Sequence, residues 1–381
     1  MPIVGHATPE GTSRYRARFL HGHPEHFRLL QDAWTSSIGL GTYLGDPDDA
    51  TDQQYAQALA AAVGAGCNLI DTAINYRFQR SERVIGATLE RLINDGAIAR
   101  DEIILCTKGG YVPFDATPPD DASRYVIDTF FRPGILRYDE LVAGCHAITP
   151  RYLEHQLSAS LANLRVETID GYYLHNPEQQ LDEVPREAFH QRLEAAFAYL
   201  EQQAAAGRIR WYGTATWHGY RVHAEHRSAL QLADLVGIAQ RIGGSAHHFR
   251  LMQLPYNLAM PEAHTFKNQR VGDELLSPIH AAQRWGISVV ASASLLQRRL
   301  LQLPPTIQAF LPGLVTDAQR AIQFVRSTPG VAAALVGMKT AAHVEANLAL
   351  AGLPPLPPEQ FGRIFDRDRR GAHAAPPSQT V

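Results

Sequence analysis

Short apolar runs alternate with helix-type patterns along most of this chain, from about residue 36 onward. The runs are apolar throughout and do not alternate with polar residues, which is typical of strands in a parallel sheet that is covered on both faces. Eight strands are predicted, at residues 37–42, 67–71, 103–108, 169–175, 209–214, 251–254, 286–291 and 331–336. Helices are predicted between them, among others at residues 53–63, 151–164, 189–206, 274–285, 317–327 and 341–349.

Eight alternations of strand and helix predict an α/β fold, a (β/α)8 TIM barrel with long βα loops and helices outside a closed parallel sheet. A doubly wound open sheet is the structural alternative. That fold usually carries a GxGxxG turn after its first strand, and Gly39-Leu40-Gly41 is not continued in that way. The barrel is therefore the favoured fold.

The chain divides into an N-terminal extension at residues 1–35, the barrel at residues 36–352 and a C-terminal segment at residues 353–381. The end of the last segment, from Arg367, is polar and contains proline, so it is expected to be disordered. Within the barrel, the connection at residues 111–150 is far longer than an ordinary βα loop of about 2–6 residues. A functional lid or an inserted subdomain is predicted there.

Composition narrows the classes of function. Hydrophobic residues make up 45% of the chain and charged residues 19%, as in an ordinary globular protein with a large core. A net charge of −3 and a pI near 6.6 give no reason to expect nucleic acid or an anionic membrane as partner. The three cysteines have no CxxC spacing, and no apolar stretch approaches a membrane span, so a cytoplasmic setting is expected. Although there are 17 histidines, none forms an HxxxH or HExxH pair, and no metal site is predicted.

Polar side chains stand at the carboxyl ends of three successive predicted strands. Asp71 ends the second strand, Lys108 the third and His175 the fourth. Tyr76 lies in the loop that follows Asp71. Each residue by itself could be an ordinary loop, core or surface group. Because all strands of a barrel open on one face, however, the four side chains are expected to meet at one mouth and form a catalytic site.

These four residue types combine into a proton donor. A phenol has an unperturbed pKa of about 10, and a neighbouring ammonium, here Lys108, is expected to lower it. Asp71 would pair with the lysine, and His175 could bond a substrate oxygen or help to relay the proton. Such a site protonates an oxygen while a nucleophile attacks the adjacent carbon. No residue resembles an activated nucleophile, so a hydride from a cofactor is the favoured nucleophile.

Several motifs, in order along the chain, resemble those of the aldo-keto reductase family. They are DTAINY with SERVIGATLE, then ILCTKGG, DGYYLHNP, GRIRWYGTATW, LMQLPYN and VAAALVGMKTAAHVEANL. The resemblance covers roughly residues 36–352. It implies a barrel that reduces carbonyls with NADPH, with Tyr76 as general acid and Asp71, Lys108 and His175 beside it. It also implies that Gln253 contacts the nicotinamide amide.

The cofactor positions implied by the resemblance depart from the family pattern at two strand ends. After the fifth strand the family commonly has Ser-Asn, where this chain has Ala215 and Thr216, of which only Thr216 can bond a carboxamide. After the seventh strand the family has an aromatic residue that stacks on the nicotinamide, but this chain has the sequence ASASL. Backbone amides at Ser294 and Leu295 could still receive the pyrophosphate.

The last implied cofactor segment comprises Gly337, Lys339, His343 and Asn347, which resemble the family's adenosine-phosphate site. His343 stands where an arginine often binds the 2′-phosphate, and a neutral imidazole is a poorer phosphate partner than a guanidinium. Lys339 could compensate for that loss. NADP(H) is therefore the expected cofactor, with NAD as an alternative.

The favoured function is an NADP(H)-dependent carbonyl reductase or alcohol dehydrogenase that acts on a small-molecule carbonyl or alcohol. One alternative is a non-redox lyase or isomerase that uses the same four residues. Another is a regulatory barrel subunit, since potassium-channel β subunits resemble the same family. The oligomeric state is left open. Aromatic residues of the loops could line a substrate pocket or form the lid's own core: Tyr111, Phe114, Phe130, Phe131 and Trp217.

Overall fold

Eight parallel strands, hydrogen-bonded in chain order, close into a barrel in the computed structural model, which describes residues 1–366. The predicted (β/α)8 TIM barrel is therefore confirmed. The barrel strands are Ile38–Gly41, Leu69–Asp71, Ile104–Gly109, Ile169–His175, Ile209–Ala215, Phe249–Pro255, Ser288–Ser292 and Val331–Gly337.

One main helix follows each barrel strand on the outside. These helices are Asp49–Gly64, Arg80–Asn94, Pro150–Leu164, Arg186–Ala205, Leu232–Gly243, Pro278–Arg284, Asp317–Arg326 and Ala341–Leu348. They form because apolar side chains recur at helical spacing, as in the third helix, where Leu153, Leu157 and Leu164 are fully buried. The first helix begins at a capping side chain, since Asp48 Oδ1 accepts a bond of 2.7 Å from the backbone N–H of Thr51.

The helix predicted at residues 274–285 is wrong in its first part. Gln269–Val271 and Glu274–Leu276 form an antiparallel hairpin, and the helix begins only at Pro278. The two residues between these strands are Gly272, with a φ of 59°, and Asp273. A two-residue loop with a left-handed glycine closes a hairpin readily, and this local preference outweighs the helical pattern.

Side chains of the strands point alternately into the barrel and out toward the helices. A buried cluster that includes Leu69, Cys106, Tyr173 and Leu251 is formed by one set of these alternating positions. Two residues further along each of the same strands stand Asp71, Lys108, His175 and Gln253. The polar residues at the mouth therefore continue the inward-facing rows of the core.

The N-terminal residues close the opposite end of the barrel. A helix at Pro9–Ala17 is followed by an antiparallel hairpin of Phe27–Leu30 and Ala33–Ser36. Ala7, Leu30 and Ala33 belong to the same buried cluster as the inward-facing strand residues. The amino-terminal end of the barrel is thus filled, and the carboxyl-terminal mouth is the open end.

The long connection after the third strand has its own small core. It contains a short α-helix at Ala122–Val126, which continues into a π-helical turn at Ile127–Phe131. A 3₁₀ turn follows at Tyr138–Glu140. Its buried side chains are Val126, Phe130, Leu136 and Ala147, packed on Tyr152 of the third helix, with Phe131 and Tyr125 against them. We call residues 111–149 the lid.

Further short elements are helices at Glu262–Thr265, Pro305–Gln308 and Pro358–Asp366 and 3₁₀ turns at Pro24–His26, Arg100–Glu102, Pro177–Asp182, Gly244–Ala246 and Ala349–Gly352. No helix within residues 1–366 is long and apolar enough to cross a membrane. The tail from Arg367, expected to be disordered, lies outside the described residues.

A buried ion pair joins three parts of the chain near the amino-terminal ends of the strands. Asp170 Oδ2 accepts bonds from Arg100 (2.8 Å) and from the backbone N–H of Leu105 (2.9 Å). Its other oxygen, Oδ1, accepts the backbone N–H of Ala7 at 2.8 Å. Asp170 is 0% and Arg100 5% exposed. The carboxylate therefore links the N-terminal extension to two strands.

We expect Asp170→Asn to lower the free energy of unfolding by about 3–5 kcal/mol, because it leaves the Arg100 guanidinium buried without a charged partner. Urea unfolding followed by circular dichroism measures the change. The matched control is Asp139→Asn in the exposed Arg137–Asp139 pair, where a change within about 0.5 kcal/mol is expected. Equal effects at the two sites would contradict the structural role of Asp170.

Candidate active site

A buried ion pair lies at the bottom of the open mouth. Lys108 Nζ donates to Asp71 Oδ1 at 2.5 Å and to the backbone oxygen of Thr72 at 2.7 Å. Gln253 Nε2 donates to the other oxygen of Asp71 at 2.8 Å. Asp71 and Gln253 are each 4% exposed and Lys108 is 1% exposed. Three strands thereby fix one carboxylate and one ammonium in place.

The two charges of this pair stabilise each other against the cost of burial. Burial lowers the pKa of Lys108, but the Asp71 carboxylate and the Tyr76 phenol outweigh that effect, and the pKa is raised overall. Burial raises the pKa of Asp71, while the Lys108 ammonium and the Gln253 amide oppose this shift because they stabilise the carboxylate. A permanent cation is therefore held beside the phenol.

Tyr76 lies against this cation on an unusual turn. Lys108 Nζ is 4.9 Å from the centre of the Tyr76 ring. The next three residues, Arg77, Phe78 and Gln79, all have left-handed backbones, with φ of 48°, 57° and 69°. Non-glycine residues adopt this region at a cost in free energy, so neighbouring contacts must hold the turn in place.

Arg77 supplies most of those contacts. Its guanidinium is buried and donates to the backbone oxygen of Asp46 at 2.9 Å and 2.7 Å and to Asp52 Oδ1 at 2.6 Å. Gln79 Nε2 donates to the backbone oxygen of Phe114, at the lid, at 3.1 Å. The turn that carries Tyr76 is thus hydrogen-bonded to the first barrel helix, Asp49–Gly64, on one side and to the lid on the other.

The net pKa shift of Tyr76 is opposite to the expected one. Burial raises the pKa of Tyr76, and although Lys108 lowers it, as expected, the effect of burial is larger. The phenol is therefore fully protonated at neutral pH. It can donate a proton, and the Lys108 charge stabilises the phenolate that this donation leaves.

His175 faces the same mouth as a neutral base. Burial lowers the pKa of His175 well below its usual value, and Lys108 lowers it further. Its ring meets the edge of the Tyr76 ring, with centroids 5.8 Å apart and planes at 76°. Its Nδ1 atom is buried and has no hydrogen-bond partner. A neutral imidazole is thereby available to a substrate oxygen.

A cavity of about 490 Å³ opens above these residues. Among the predicted catalytic residues, Asp71, Tyr76 and His175 line it, and Lys108 lies behind Asp71. The predicted cofactor residues that line it are Thr216, Gln253, Ser294, Leu295 and Gly337. Tyr111 and Trp217 form part of its wall. Phe130 and Phe131 instead belong to the lid core, and Phe114 packs against Phe78 and Tyr125.

Two buried hydroxyl groups of the cavity lack partners. Thr216 is 4% and Ser294 1% exposed, yet neither Thr216 Oγ1 nor Ser294 Oγ has a hydrogen-bond partner. Buried polar atoms are nearly always hydrogen-bonded, so unpaired hydroxyls at a cavity have bonding capacity left for water or a polar ligand. These are two positions that the family resemblance assigns to the cofactor, and the residues present fit such a group.

The remaining three predicted cofactor residues lie beyond this lining. Lys339 follows the eighth strand, and its side chain passes close to Gly45, since a Cβ built there would be 3.5 Å from Lys339 Cδ. His343 is exposed in the first turn of the last barrel helix, whose N-cap is Thr340. Asn347 is 6% exposed in the same helix.

Several residues at the cavity were not singled out from the sequence. They are Tyr43, Asn75, Asn176 and Arg298, all of which line the cavity. Arg298 is exposed, has a left-handed backbone with φ of 75°, and makes no ion pair with residues 1–366. In the sequence, only their position could have identified these residues as part of the site, because all four stand in loops that follow barrel strands.

The lid is connected to His175 by a chain of oriented hydrogen bonds. Arg192 donates to Gln180 Oε1 at 2.5 Å, and Gln180 Nε2 contacts His146 Nδ1 at 2.8 Å. Since arginine can only donate, Gln180 Nε2 must be the donor to Nδ1. The proton of His146 therefore stands on Nε2, which donates to the backbone oxygen of His175 at 2.7 Å. Burial lowers the pKa of His146 to about 4, in agreement with this neutral form.

Comparison with known proteins agrees with this architecture. The model of the aldo/keto reductase family matches residues 37–229, about half of the chain. The NADH-specific methylglyoxal reductase of Escherichia coli (strain K12) is 28% identical over 211 residues. That alignment covers 54% of this chain and 54% of the reductase, so the chain spans about half the length of this curated relative.

Two solved structures have a similar fold. An aldo-keto reductase from Klebsiella pneumoniae in complex with NADPH has a TM-score of 0.59 and 22% identity, covering 90% of this chain and 93% of that one. A glycerol dehydrogenase from Gluconobacter oxydans has a TM-score of 0.61 and 18% identity, covering 94% of this chain and 100% of that one. At these identities the likeness concerns the fold.

The neutral state of His146 predicts a loss of stability in acid. The folded pKa of about 4 lies below the ordinary value of 6.5, so between these pH values the unfolded chain binds a proton that the folded chain does not. The free energy of unfolding should fall with falling pH, with up to about 1.4 kcal/mol per pH unit from this group. Urea titrations of His146→Gln from pH 7 to 4 should show a shallower slope, while His21→Gln, at an exposed position, should not. An unchanged slope in His146→Gln would contradict the assignment.

Proposed function

The chain belongs to the aldo/keto reductase family, and we propose that it is an NADP(H)-dependent oxidoreductase that interconverts a small-molecule carbonyl and its alcohol. The observation that carries this proposal is the buried Lys108–Asp71 pair beside a protonated Tyr76, at the bottom of a cavity with unpaired hydroxyls. The E. coli relative is named as a methylglyoxal reductase and the Gluconobacter structure as a glycerol dehydrogenase, which supports the carbonyl and alcohol class.

In this proposal Tyr76 is the general acid. Carbonyl reduction adds a hydride to carbon and a proton to oxygen, and the bound nicotinamide would supply the hydride. Tyr76 donates the proton to the carbonyl oxygen, and the fixed charge of Lys108 stabilises the resulting phenolate. Asp71 holds Lys108 in position and keeps it charged. His175, neutral and next to Tyr76, bonds the same substrate oxygen and orients it.

The residues that would hold the cofactor are those whose polar groups at the cavity still have a hydrogen bond to offer. Gln253 has already donated its amide nitrogen to Asp71, which leaves its carbonyl oxygen for the carboxamide, together with the hydroxyl of Thr216. The Ser294 hydroxyl and the backbone around Leu295 and Gly337 suit a phosphate-bearing chain. Arg298, an exposed cation at the cavity wall, is a further candidate for a phosphate contact.

The adenosine end would decide between NADPH and NADH. Lys339, which follows the eighth strand, makes no ion pair with residues 1–366 and is free to bind a 2′-phosphate. His343 and Asn347 stand on the helix that follows. With a histidine in place of the family's arginine, discrimination against NADH is expected to be modest. The relative named as NADH-specific is in keeping with a family that accepts either cofactor.

One observation favours a second candidate function. At the end of the seventh strand and in the loop after it, the cavity wall contains Ser292, Ala293, Ser294, Leu295, Gln297 and Arg298, none of which offers an aromatic surface for stacking on a nicotinamide. An elimination or isomerisation, with Tyr76 and His175 as acid and base, would need no such surface. Parallel titrations with NADPH and NADH separate the two candidates, because the proton-transfer enzyme binds neither cofactor tightly.

We expect Tyr76→Phe to lower kcat by about 10²–10⁴-fold, because the proton donor is lost. The Kd for NADPH should remain within about twofold of that of the original protein, since the ring is kept. Loss of nicotinamide absorbance with a panel of aldehydes and ketones measures turnover, and quenching of tryptophan fluorescence measures Kd. Absence of turnover on every substrate, together with absence of NADPH binding, would overturn the proposed function.

We expect Lys339→Ala to raise the Kd for NADPH about tenfold and to leave the Kd for NADH unchanged, because only NADPH carries a phosphate for the ammonium to bind. Parallel fluorescence titrations with the two cofactors measure both constants. The control is Lys267→Ala, at an exposed lysine of the loop after the sixth strand, which should change neither. An equal loss for both cofactors would refute the assignment of Lys339 to the 2′-phosphate.

A further inference from the structure

We propose that Glu178 is a positioning residue of this site. Its buried carboxylate holds the backbone of the turn Trp217–Gly219, and it thereby fixes Thr216 and Trp217 at the cavity. The inference deepens the proposed function and rests on it, insofar as Thr216 is taken to bind the cofactor and Trp217 to bound the substrate space.

One carboxylate oxygen of Glu178 accepts hydrogen bonds from three successive backbone amides. Glu178 Oε1 accepts the backbone N–H groups of Trp217 at 2.8 Å, His218 at 2.9 Å and Gly219 at 3.1 Å. Three adjacent N–H groups can converge on one point only when the turn curls around it. The carboxylate therefore specifies the backbone conformation of the turn, beyond tethering it at a single point.

The burial of Glu178 makes this arrangement unusual. The residue is 5% exposed, and no Lys, Arg or His within residues 1–366 forms an ion pair with it. Its second oxygen, Oε2, is buried without a partner. Burial raises the pKa of Glu178, and the three N–H donors oppose that shift because they stabilise the carboxylate. A buried acid without a cation is costly to folding, which points to a role in shaping the site.

Glu178 also stands where it can connect two sides of the cavity. It follows His175 by three residues, within the 3₁₀ turn Pro177–Asp182. The backbone N–H of Asn176 already donates to the oxygen of Ala215 at 2.5 Å. The Glu178 contact extends this connection past the end of the fifth strand. The position of His175 is thereby coupled to the residues that follow Ala215.

The far side of the turn is held independently. Arg221 donates from Nη1 to the backbone oxygen of Trp217 at 3.1 Å and forms an ion pair with Glu262. The backbone of Trp217 is thus fixed on both sides of its Cα, by Glu178 at the N–H and by Arg221 at the carbonyl oxygen. Without Glu178, the three N–H groups lose their acceptor, and the turn is expected to shift toward water to satisfy them. Trp217 and Thr216 would move with it.

The test uses the emission of Trp217 in the protein without cofactor. Each variant is compared with the same variant carrying Trp217→Phe, and the difference spectrum reports Trp217 alone. In Glu178→Ala we expect this emission to shift to the red and its quenching by acrylamide to increase about twofold or more, because the indole becomes more exposed. No turnover is needed, so the result stands even where the proposed function fails.

Two conservative variants separate geometry from charge. Glu178→Gln keeps an acceptor oxygen at the same distance from the backbone and should restore the original Trp217 emission. Glu178→Asp keeps the charge but withdraws the oxygen by one methylene, and it should behave like the alanine variant. Glu183→Ala is the matched control. Glu183 lies five residues after Glu178, and its exposed carboxylate accepts the backbone N–H of Ala143 at 2.8 Å. It should leave the Trp217 emission unchanged.

In assays with cofactor and carbonyl substrate, the displaced turn should weaken the binding of both. Glu178→Ala should raise the Kd for NADPH and the KM for the carbonyl by about tenfold each, with kcat changed less than about threefold, since Tyr76 and Lys108 are untouched. Unchanged Trp217 emission in Glu178→Ala would overturn the proposal. So would a Gln variant as impaired as the Ala variant, or a Glu183→Ala variant with the same effect. Were Glu178→Ala to misfold, the order of the Asp and Gln variants would still decide.

Discussion

The ion pair between Lys108 and Asp71 is the interaction on which the site depends. A buried ammonium and a buried carboxylate are each costly by themselves, so the pair is stable only while the neighbouring strands keep the atoms in contact. The strands meet this demand because their inward-facing positions converge at the mouth, where Gln253 and the backbone of Thr72 complete the hydrogen bonds. The barrel therefore holds the two charged groups at a fixed distance from each other.

Around this rigid centre the walls of the cavity are built from loops, and their order comes from specific polar anchors. Arg77 holds the left-handed turn behind Tyr76, and His146 connects the lid to the backbone of His175. The 3₁₀ turn at Pro177–Asp182 reaches two of these walls, since Gln180 contacts the lid and Glu178 the turn after the fifth strand. Each anchor is a buried polar group that bonds the backbone of a neighbouring segment.

The proposed acid side and the proposed cofactor side of the cavity differ in how closely they follow the family pattern. The four groups at the bottom are in contact with one another, and loss of Asp71 or Lys108 would leave the other charge buried without its partner. On the side proposed for the cofactor, Ser292 and His343 stand where the family resemblance implies an aromatic residue and an arginine, while the hydroxyls of Thr216 and Ser294 are unpaired.

The sequence alone predicted the eight strands and the three strand-end residues Asp71, Lys108 and His175, because both follow from short-range patterns of burial and from the common direction of barrel strands. It did not reveal the hairpin at Gln269–Leu276, whose two-residue turn overrode a helical pattern. The folded structure was needed to show that burial outweighs Lys108 in shifting the pKa of Tyr76 and that Glu178 faces the Trp217 turn. Desolvation and contacts between distant loops depend on every surrounding element at once, and no local pattern of residues encodes them.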